Sequence, residues 1–396
     1  MKYAEKDCAI TGIGVSQVGR NLKRTALSLG LDAAIAAVSD AGLTMRDIDG
    51  VATYPGQDLH GPPGHSPLSV WDMKNALDLS LNWYCGSSEV PGQFGAIINA
   101  CAAIALGLCR HVLVFRVLTE ATAAAAVNRP GSAIGTGGSR VGGQFSGLVP
   151  YRAYSAANWL ALYAQRHFHE FGTTREQLAQ IALNGRRNAA LNARAIYRQP
   201  LSLEQYLTAR MISTPLCLND CDSPTDAAVA VVVSAREALQ DVQTRPVLFE
   251  AVGCATSSPH SWEQISNLAR QPPFDAARMM WSRTDLKPKD VHTAQLYDGF
   301  SIIALQWLEA LGFCGLGEGG PFLEGGKRIA RDGEVPLNTA GGQLSEGRLH
   351  AFGLLIEACA QLRNDCGERQ ITPTPRTAVV TSAGGPFGSC LLLRTD

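Results

Sequence analysis

A chain of 396 residues, 46% hydrophobic and 17% charged, is long enough to bury one large core or two fused ones. Its 34 Lys and Arg balance 35 Asp and Glu, and no basic run stands out, which argues against nucleic acid as a partner and leaves a polyanionic ligand needing only a local basic spot. No apolar run approaches the roughly 20 residues of a membrane span, and the 11 cysteines contain no CxxC and are scattered like reduced thiols, so the expectation is a cytoplasmic protein with no membrane segment.

In chain order, short apolar runs predict strands at CAITGIGV (8–15), DGVATY (49–54), HVLVFRV (111–117), AAVAVVVS (227–234), VLFEAVG (247–253), HTAQLY (292–297) and TAVVTSA (377–383). Helical patterns fall at about 26–41, 94–107, 155–170, 176–192, 301–311 and 350–363. Strands alternating with Ala-rich helices are the signature of an α/β fold.

The chain also repeats itself. The segment from Leu31, LDAAIAAVSDAGLTMRDIDGVATY, aligns without a gap on FDAARMMWSRTDLKPKDVHTAQLY from Phe274, so that Asp32, Ala33, Ala34 and Tyr54 meet Asp275, Ala276, Ala277 and Tyr297. A second segment, SSEVPGQFGAIINACAAI from Ser87, aligns on SEGRLHAFGLLIEACAQL from Ser345, bringing Phe94, Gly95 and Cys101 onto Phe352, Gly353 and Cys359. Two ungapped matches in the same order imply two duplicated halves, residues 1–245 and 246–396. A stretch of about 118–212, with the glycine-rich run GSAIGTGGSRVGGQFSG and helices after it, reads as an insertion into the first half. That run lacks GxxxxGK[ST] and fits a substrate-covering loop better than a nucleotide site. Cys217 and Cys221 form the closest thiol pair, but a metal site would need two more ligands, so none is expected.

Two related α/β halves, an inserted loop region and the run LNTAGGQLSEGRLHAFG together resemble the thiolase superfamily along nearly the whole chain. The resemblance implies a thiolase fold of two αβαβα halves and an acyl-CoA substrate. Asn338, Gly341, Gly342 and Gly347 match the pattern N-x-x-G-G-x-x-x-x-G-H-P, but Arg348 falls on the family's His and Leu349 on its Pro. For the family's acyl-accepting Cys two placements exist. Asn82 stands three residues before Cys85, as in many thiolases, whereas the internal repeat pairs Arg348 with Val90 and leaves Cys85 ahead of the helix that would activate a thiol. The Asn-Glu-Ala-Phe signature becomes Tyr297-Asp298-Gly299-Phe300, and the C-terminal Cys is replaced at Ser382 and Ala383, with Cys390 too far downstream.

A site without those cysteines and that His keeps a thioester cradle and oxyanion donors but loses covalent acyl transfer. Retro-aldol cleavage of a β-hydroxyacyl-CoA needs no more. Tyr297 is then the central residue, as oxyanion donor or, with Arg348 as a nearby cation, as general base. Asp298 would orient the site and His350 carry a proton, with Gly341, Gly342, Ser382 and Cys85 lining the substrate. Each has a plainer structural reading: Tyr297 a core tyrosine, Asp298 an N-cap of SIIALQWL, Arg348 a CoA phosphate ligand, His350 a packed helix residue, Ser382 a turn residue.

The motif pattern looks most like the lipid-transfer branch of the superfamily that includes steroid side-chain aldolases. That resemblance implies a homodimer, no cofactor beyond the CoA of the substrate, and a small OB-fold/zinc-ribbon partner subunit. Two other readings remain open at this level: a β-ketoacyl-CoA thiolase using Cys85, and a lipid-transfer subunit without catalysis. Trp83, Trp159 and Trp262 could line an apolar pocket or belong to the core.

Overall fold

The structure, a computed structural model, describes residues 3–56, 63–127 and 147–396; residues 131–146 of the glycine-rich run lie outside the described residues. The chain begins with β1 (Cys8–Val15), α1 (Ala26–Asp40), β2 (Gly50–Thr53), α2 (Val70–Ala76), β3 (Trp83–Gly86), α3 (Gly95–Ala105) and β4 (His111–Thr119). A helical excursion follows: α4 (Glu120–Val127), α5 (Ala156–Phe171), α6 (Arg175–Ala189) and α7 (Leu203–Leu207). A hairpin of β5 (Met211–Ser213) and β6 (Leu216–Cys217) then leads to β7 (Asp226–Ala235). The remainder runs β8 (Val247–Thr256), α8 (Pro272–Trp281), β9 (Thr293–Gln295), α9 (Ser301–Ala310), α10 (Gly319–Leu323), α11 (Gly342–Ser345), α12 (Phe352–Arg363), β10 (Thr377–Gly384) and β11 (Phe387–Arg394).

Nine strands form one mixed sheet in the order β3-β2-β4-β7-β1-β8-β11-β10-β9, and apart from the edge strand β3 that order is a palindrome. β2 runs parallel to β4, which is antiparallel to β7, which is antiparallel to β1; β9, β10, β11 and β8 repeat the same three relations. The two sets join where Ala9 and Ile10 pair with Leu248 and Val247. The duplication seen in sequence is therefore a duplication of architecture.

Two details show why the repeated residues are what they are. Helix α1 lies so close on β1 that a Cβ at Gly14 would stand 2.1 Å from the Ala33 carbonyl oxygen; at Gly253 in β8 it would stand 2.0 Å from that of Ala276. Ala33 and Ala276 are partners in the internal repeat, so the same close strand–helix approach is built twice, and only glycine permits it. At the centre, Phe94 and Phe352, also repeat partners, meet edge-on with ring centroids 6.4 Å apart. They sit at the starts of α3 and α12, which pack between the two sets of strands. Every residue of α12 from Phe352 to Leu362 is buried, as expected of a helix apolar on all sides.

Besides the short β5–β6 hairpin, two strands of the main sheet were not legible in the sequence. β3 is an edge strand whose residues alternate between half-buried and exposed, so Trp83–Gly86 shows no apolar run. β11 was visible only as a short apolar stretch, and its identity as a strand comes from the tight hairpin that pairs Gly384 with Phe387. The helix predicted from residue 350 begins at Phe352 because His350 and Ala351 both have left-handed backbones, φ 47° and 65°. Among the described residues no helix is long and apolar enough to cross a membrane.

Phe352→Ala is expected to lower the unfolding free energy by about 3–5 kcal/mol, read from the shift in denaturant midpoint.

Candidate active site

Three loops from separate parts of the chain converge beside the C-terminal end of β9. Tyr297 is anchored there by its backbone N–H, which donates to Thr381 Oγ1 at 2.8 Å. The Asp222 N–H donates to the Gly299 carbonyl at 3.0 Å, tying the loop before β7 to the Tyr-Asp-Gly turn. A Cβ at Gly299 would lie 2.8 Å from Tyr297 Cε1 and 3.4 Å from Asp222 Oδ2, so phenol and carboxylate flank this glycine. Arg348 closes the group: its NH2 is 2.8 Å from Glu120 Oε2 and its NH1 is 3.3 Å from Asp222 Oδ1. Its backbone N–H donates to Thr225 Oγ1 at 3.1 Å.

Burial sets the protonation of these groups. It pushes the Asp222 carboxyl up to about 7, with Arg348 pulling down and Glu120 pushing up. Burial also raises the Tyr297 phenol, Asp222 adds to the shift, and Arg348 only partly opposes it. For Arg348 burial alone would favour the neutral form, but Asp222 and Glu120 outweigh it and hold the guanidinium charged above its usual range. The expectation that Arg348 would make Tyr297 a base is thus corrected: the phenol's pKa is raised rather than lowered, and of the groups paired with Arg348 it is Asp222 whose pKa is brought near neutrality.

Asp298 is not the cap of α9. The N-cap position of α9 is Phe300, with no side-chain cap. Asp298 Oδ1 instead accepts the Gln343 N–H at 2.8 Å, holding the glycine-rich loop. Burial raises its carboxyl to about 7 against the Gln343 and Leu344 N–H groups and the Asn338 amide. Gly342 is held against it with φ 62°, and a Cβ there would fall 2.0 Å from Asp298 Oδ2. Gly341 packs on α6, where a Cβ would meet Ala189 Cβ at 2.7 Å. Both glycines serve close packing of the loop rather than an open substrate surface.

His350 is buried and accepts at Nδ1 from Arg116 NH2 at 2.9 Å. The ring of His65 lies 5.1 Å away, and burial together with Arg116 keeps both imidazoles neutral, well below their usual pKa. His65, Glu120 and His350 place ligand atoms within 4.8 Å of one another, a spacing a metal could use. The donor set fits a metal poorly, because Arg116 already donates to His350 and Arg348 already pairs with Glu120.

The other predicted residues lie apart. Ser382 is not in a turn; it is fully buried on β10, and its hydroxyl is 2.7 Å from that of Ser389. Cys85 sits on edge strand β3, ahead of the α3 N-terminus, with the Asn99 amide donating to its Sγ at 3.8 Å. Cys221 neighbours Asp222, but its thiol donates to the Cys217 carbonyl, and burial and Asp220 keep it protonated. Trp159 and Trp262 meet at 5.2 Å, while Trp83 lines a separate surface groove with Tyr84 and Leu106.

Asp222, Glu120, Arg116 and His65 were missed from sequence. Arg116 had a signal: a lone charge within the apolar strand HVLVFRVLT must be paired or functional. Glu120 directly follows a strand and Asp222 lies in an acidic loop, places where acids are commonplace, and His65 carries no pattern at all.

Residues 254–392 match the thiolase C-terminal domain-like family. The fold is that of the human mitochondrial 3-ketoacyl-CoA thiolase, which at 15% identity has a TM-score of 0.68 over 99% of this chain and all of that one. The Ltp2-ChsH2(DUF35) aldolase superposes with a TM-score of 0.87 at 27% identity, over 100% of this chain and 99% of that one. A steroid side-chain-cleaving aldolase of Thermomonospora curvata is 30% identical over 98% of both proteins. The 17-hydroxy-3-oxo-4-pregnene-20-carboxyl-CoA lyase of Mycobacterium tuberculosis is 32% identical over 94% of this chain and 97% of its own. The chain belongs to the thiolase superfamily, in its steroid side-chain-cleaving aldolase branch.

Because the Asp298 carboxyl is raised, it favours folding below about pH 4, the unfolded value, and loses that contribution as pH climbs through about 7. Asp298→Asn removes the dependence. Denaturation midpoints measured from pH 4 to pH 8 should therefore move in favour of the variant, relative to the parent, as pH rises.

Proposed function

We propose that the chain is a carbon–carbon lyase that splits a β-hydroxyacyl-CoA by retro-aldol cleavage, taking a steroid side chain as its acyl group and releasing a ketone and a short acyl-CoA. The observation that carries this reading is the placement, on either side of Gly299, of a carboxyl whose pKa burial pushes up to about 7, Asp222, and a phenol whose pKa is also raised, Tyr297, in a site whose adjacent thiol is held protonated. The same burial raises both groups, making the carboxyl a stronger base and keeping the phenol protonated as an acid.

In the forward reaction Asp222 takes the proton of the β-hydroxyl, and the oxygen lone pair forms the ketone as the Cα–Cβ bond breaks. The bonding pair passes to Cα and the thioester oxygen as an enolate. Tyr297 protonates Cα, since an enolate carbon is far more basic than a phenolate, and regains its proton from Asp222. Arg348 keeps Asp222 ionised between turnovers and stays charged throughout. The reaction needs no cofactor besides the CoA of the substrate, and no free CoA.

Two partners fit the surface. Among the described residues the edge strand β3 leaves its outer side unpaired, and the exposed Trp71 and Tyr84 rings meet there at 4.5 Å, tilted by 56°, with Leu106 also exposed; a homodimer formed edge to edge would cover them. The likeness to the Ltp2-ChsH2(DUF35) aldolase supports a small OB-fold/zinc-ribbon subunit as a second partner. Eleven free cysteines suit the cytoplasm, where thiols stay reduced.

The test is product analysis with a β-hydroxyacyl-CoA of a steroid side chain, with and without a zinc-ribbon subunit. Cleavage without added CoA, with kcat/KM rising to a plateau above about pH 7, preserved in Cys85→Ala and reduced 10²–10⁴-fold in Asp222→Asn, is the expected result. Turnover of a β-ketoacyl-CoA only with added CoA, abolished by Cys85→Ala, would make the chain a thiolase.

A further inference from the structure

One charged group in this cluster has no counter-ion. Arg116 stands in the middle of β4 and is only 1% exposed. Its NH2 is spent on His350, but its Nε and NH1 have no hydrogen-bond partner. Both nearby carboxylates, Glu120 and Asp222, are turned to Arg348, and among the described residues none lies within 4.0 Å of Arg116. Its guanidinium carbon is 5.9 Å from the Tyr54 ring centroid, and the Tyr297 phenol is near enough to act on its charge. Burial pulls its pKa down to about 10 despite the attraction of Glu120, the signature of a charge short of compensation.

A buried guanidinium without a counter-ion is costly to stability, and the arrival of an anionic group offsets that cost. Its donors are fixed before the substrate comes. His350 pins one arm of the fork, and its own backbone is held in the left-handed region at φ 47°, followed by Ala351 at 65°. Two adjacent non-glycine residues in that sparsely populated region are strained, a constraint that fixes position at the expense of stability. Buried, preorganised donors with no partner of their own are what a developing oxyanion requires.

We infer that Arg116 is a further catalytic residue, the one whose free Nε–H and NH1 donors take the thioester oxygen as it becomes an enolate, with His350 as the positioning residue that aims it. This deepens the retro-aldol reading and rests on it. In the balanced step, the electron pair of the broken Cα–Cβ bond becomes the enolate, its charge is held on the oxygen by Arg116, and it returns to Cα when that carbon is protonated. Arg116 neither gives nor takes a proton. Arg348 is committed to its two carboxylates, so the two arginines divide the work between base and oxyanion.

The experiment is steady-state cleavage of the steroid β-hydroxyacyl-CoA by Arg116→Gln, together with its thermal unfolding. The expected result is a kcat lower by 10²–10³-fold, a KM within about threefold of the parent and an unfolding midpoint that does not fall, since the substitution removes a buried charge. A kcat within threefold of the parent overturns the inference while leaving the lyase reading intact. No cleavage by the parent enzyme overturns the lyase reading itself, and this inference with it. Should Arg116→Gln not fold, Arg116→Lys is read in its place: it keeps the charge but loses the fork, and a kcat lowered tenfold or more at unchanged KM is expected, whereas an unchanged kcat overturns the inference. His350→Asn should lower kcat less than Arg116→Gln does and leave KM unchanged; a loss confined to KM would contradict its positioning role.

Discussion

The ion pairs of Arg348 with Glu120 and Asp222 are the constraint on which the site depends. Glu120 opens the helix after β4, Asp222 ends the excursion that returns to β7, and Arg348 belongs to the glycine-rich loop of the second half. One side chain therefore fixes three segments that are remote in sequence. Its charge also sets the balance at Asp222: burial drives that carboxyl toward neutrality and the guanidinium stops it near 7. A largely buried ion pair adds little net stability, because desolvation offsets much of the attraction. Its value lies in the poise it gives a proton acceptor, and that is a functional property.

The glycine-rich loop is the second support. Asp298 takes the N–H of Gln343, Asn338 exchanges bonds with the Leu296 backbone, and the loop is closed from behind by Glu357, which accepts from Thr339 at 2.8 Å and pairs with Arg369 at 3.0 Å. These residues carry the motif by which the sequence resembled thiolases, yet none of them needs to touch substrate. What the motif encodes is a scaffold, and the chemistry is decided by the side chains mounted on it. Arg348 in place of a histidine and Tyr297 in place of an asparagine change the reaction while leaving the loop unaltered.

Much of this was legible before the structure. Apolar runs located seven strands because those strands are buried on both faces, and the internal repeat foretold the palindromic sheet because Gly14 and Gly253 meet Ala33 and Ala276 in the same way. Tyr297, Asp298, Arg348 and His350 were found through motif position and do gather in one region. Their roles were not readable, because the sign of each pKa shift depends on burial and on partners from elsewhere in the chain. Asp222 sat in an acidic loop like many others, and only its contact with Arg348 and the turn at Gly299 distinguishes it. Cys85 was weighed as a nucleophile on local spacing alone; the pairing of Ala52 with Cys85 shows it to be part of an edge strand. Arg116 could have been found, since a charge inside an apolar strand is rare without a reason.

The most direct test of the chemistry is to run the cleavage in deuterated water and weigh the short acyl-CoA product. If an enolate forms and is protonated from within the site, the acyl group should carry one deuterium at Cα. A product formed by cleavage that carries no deuterium would contradict an enolate intermediate, and with it the division of labour among Asp222, Tyr297 and the two arginines.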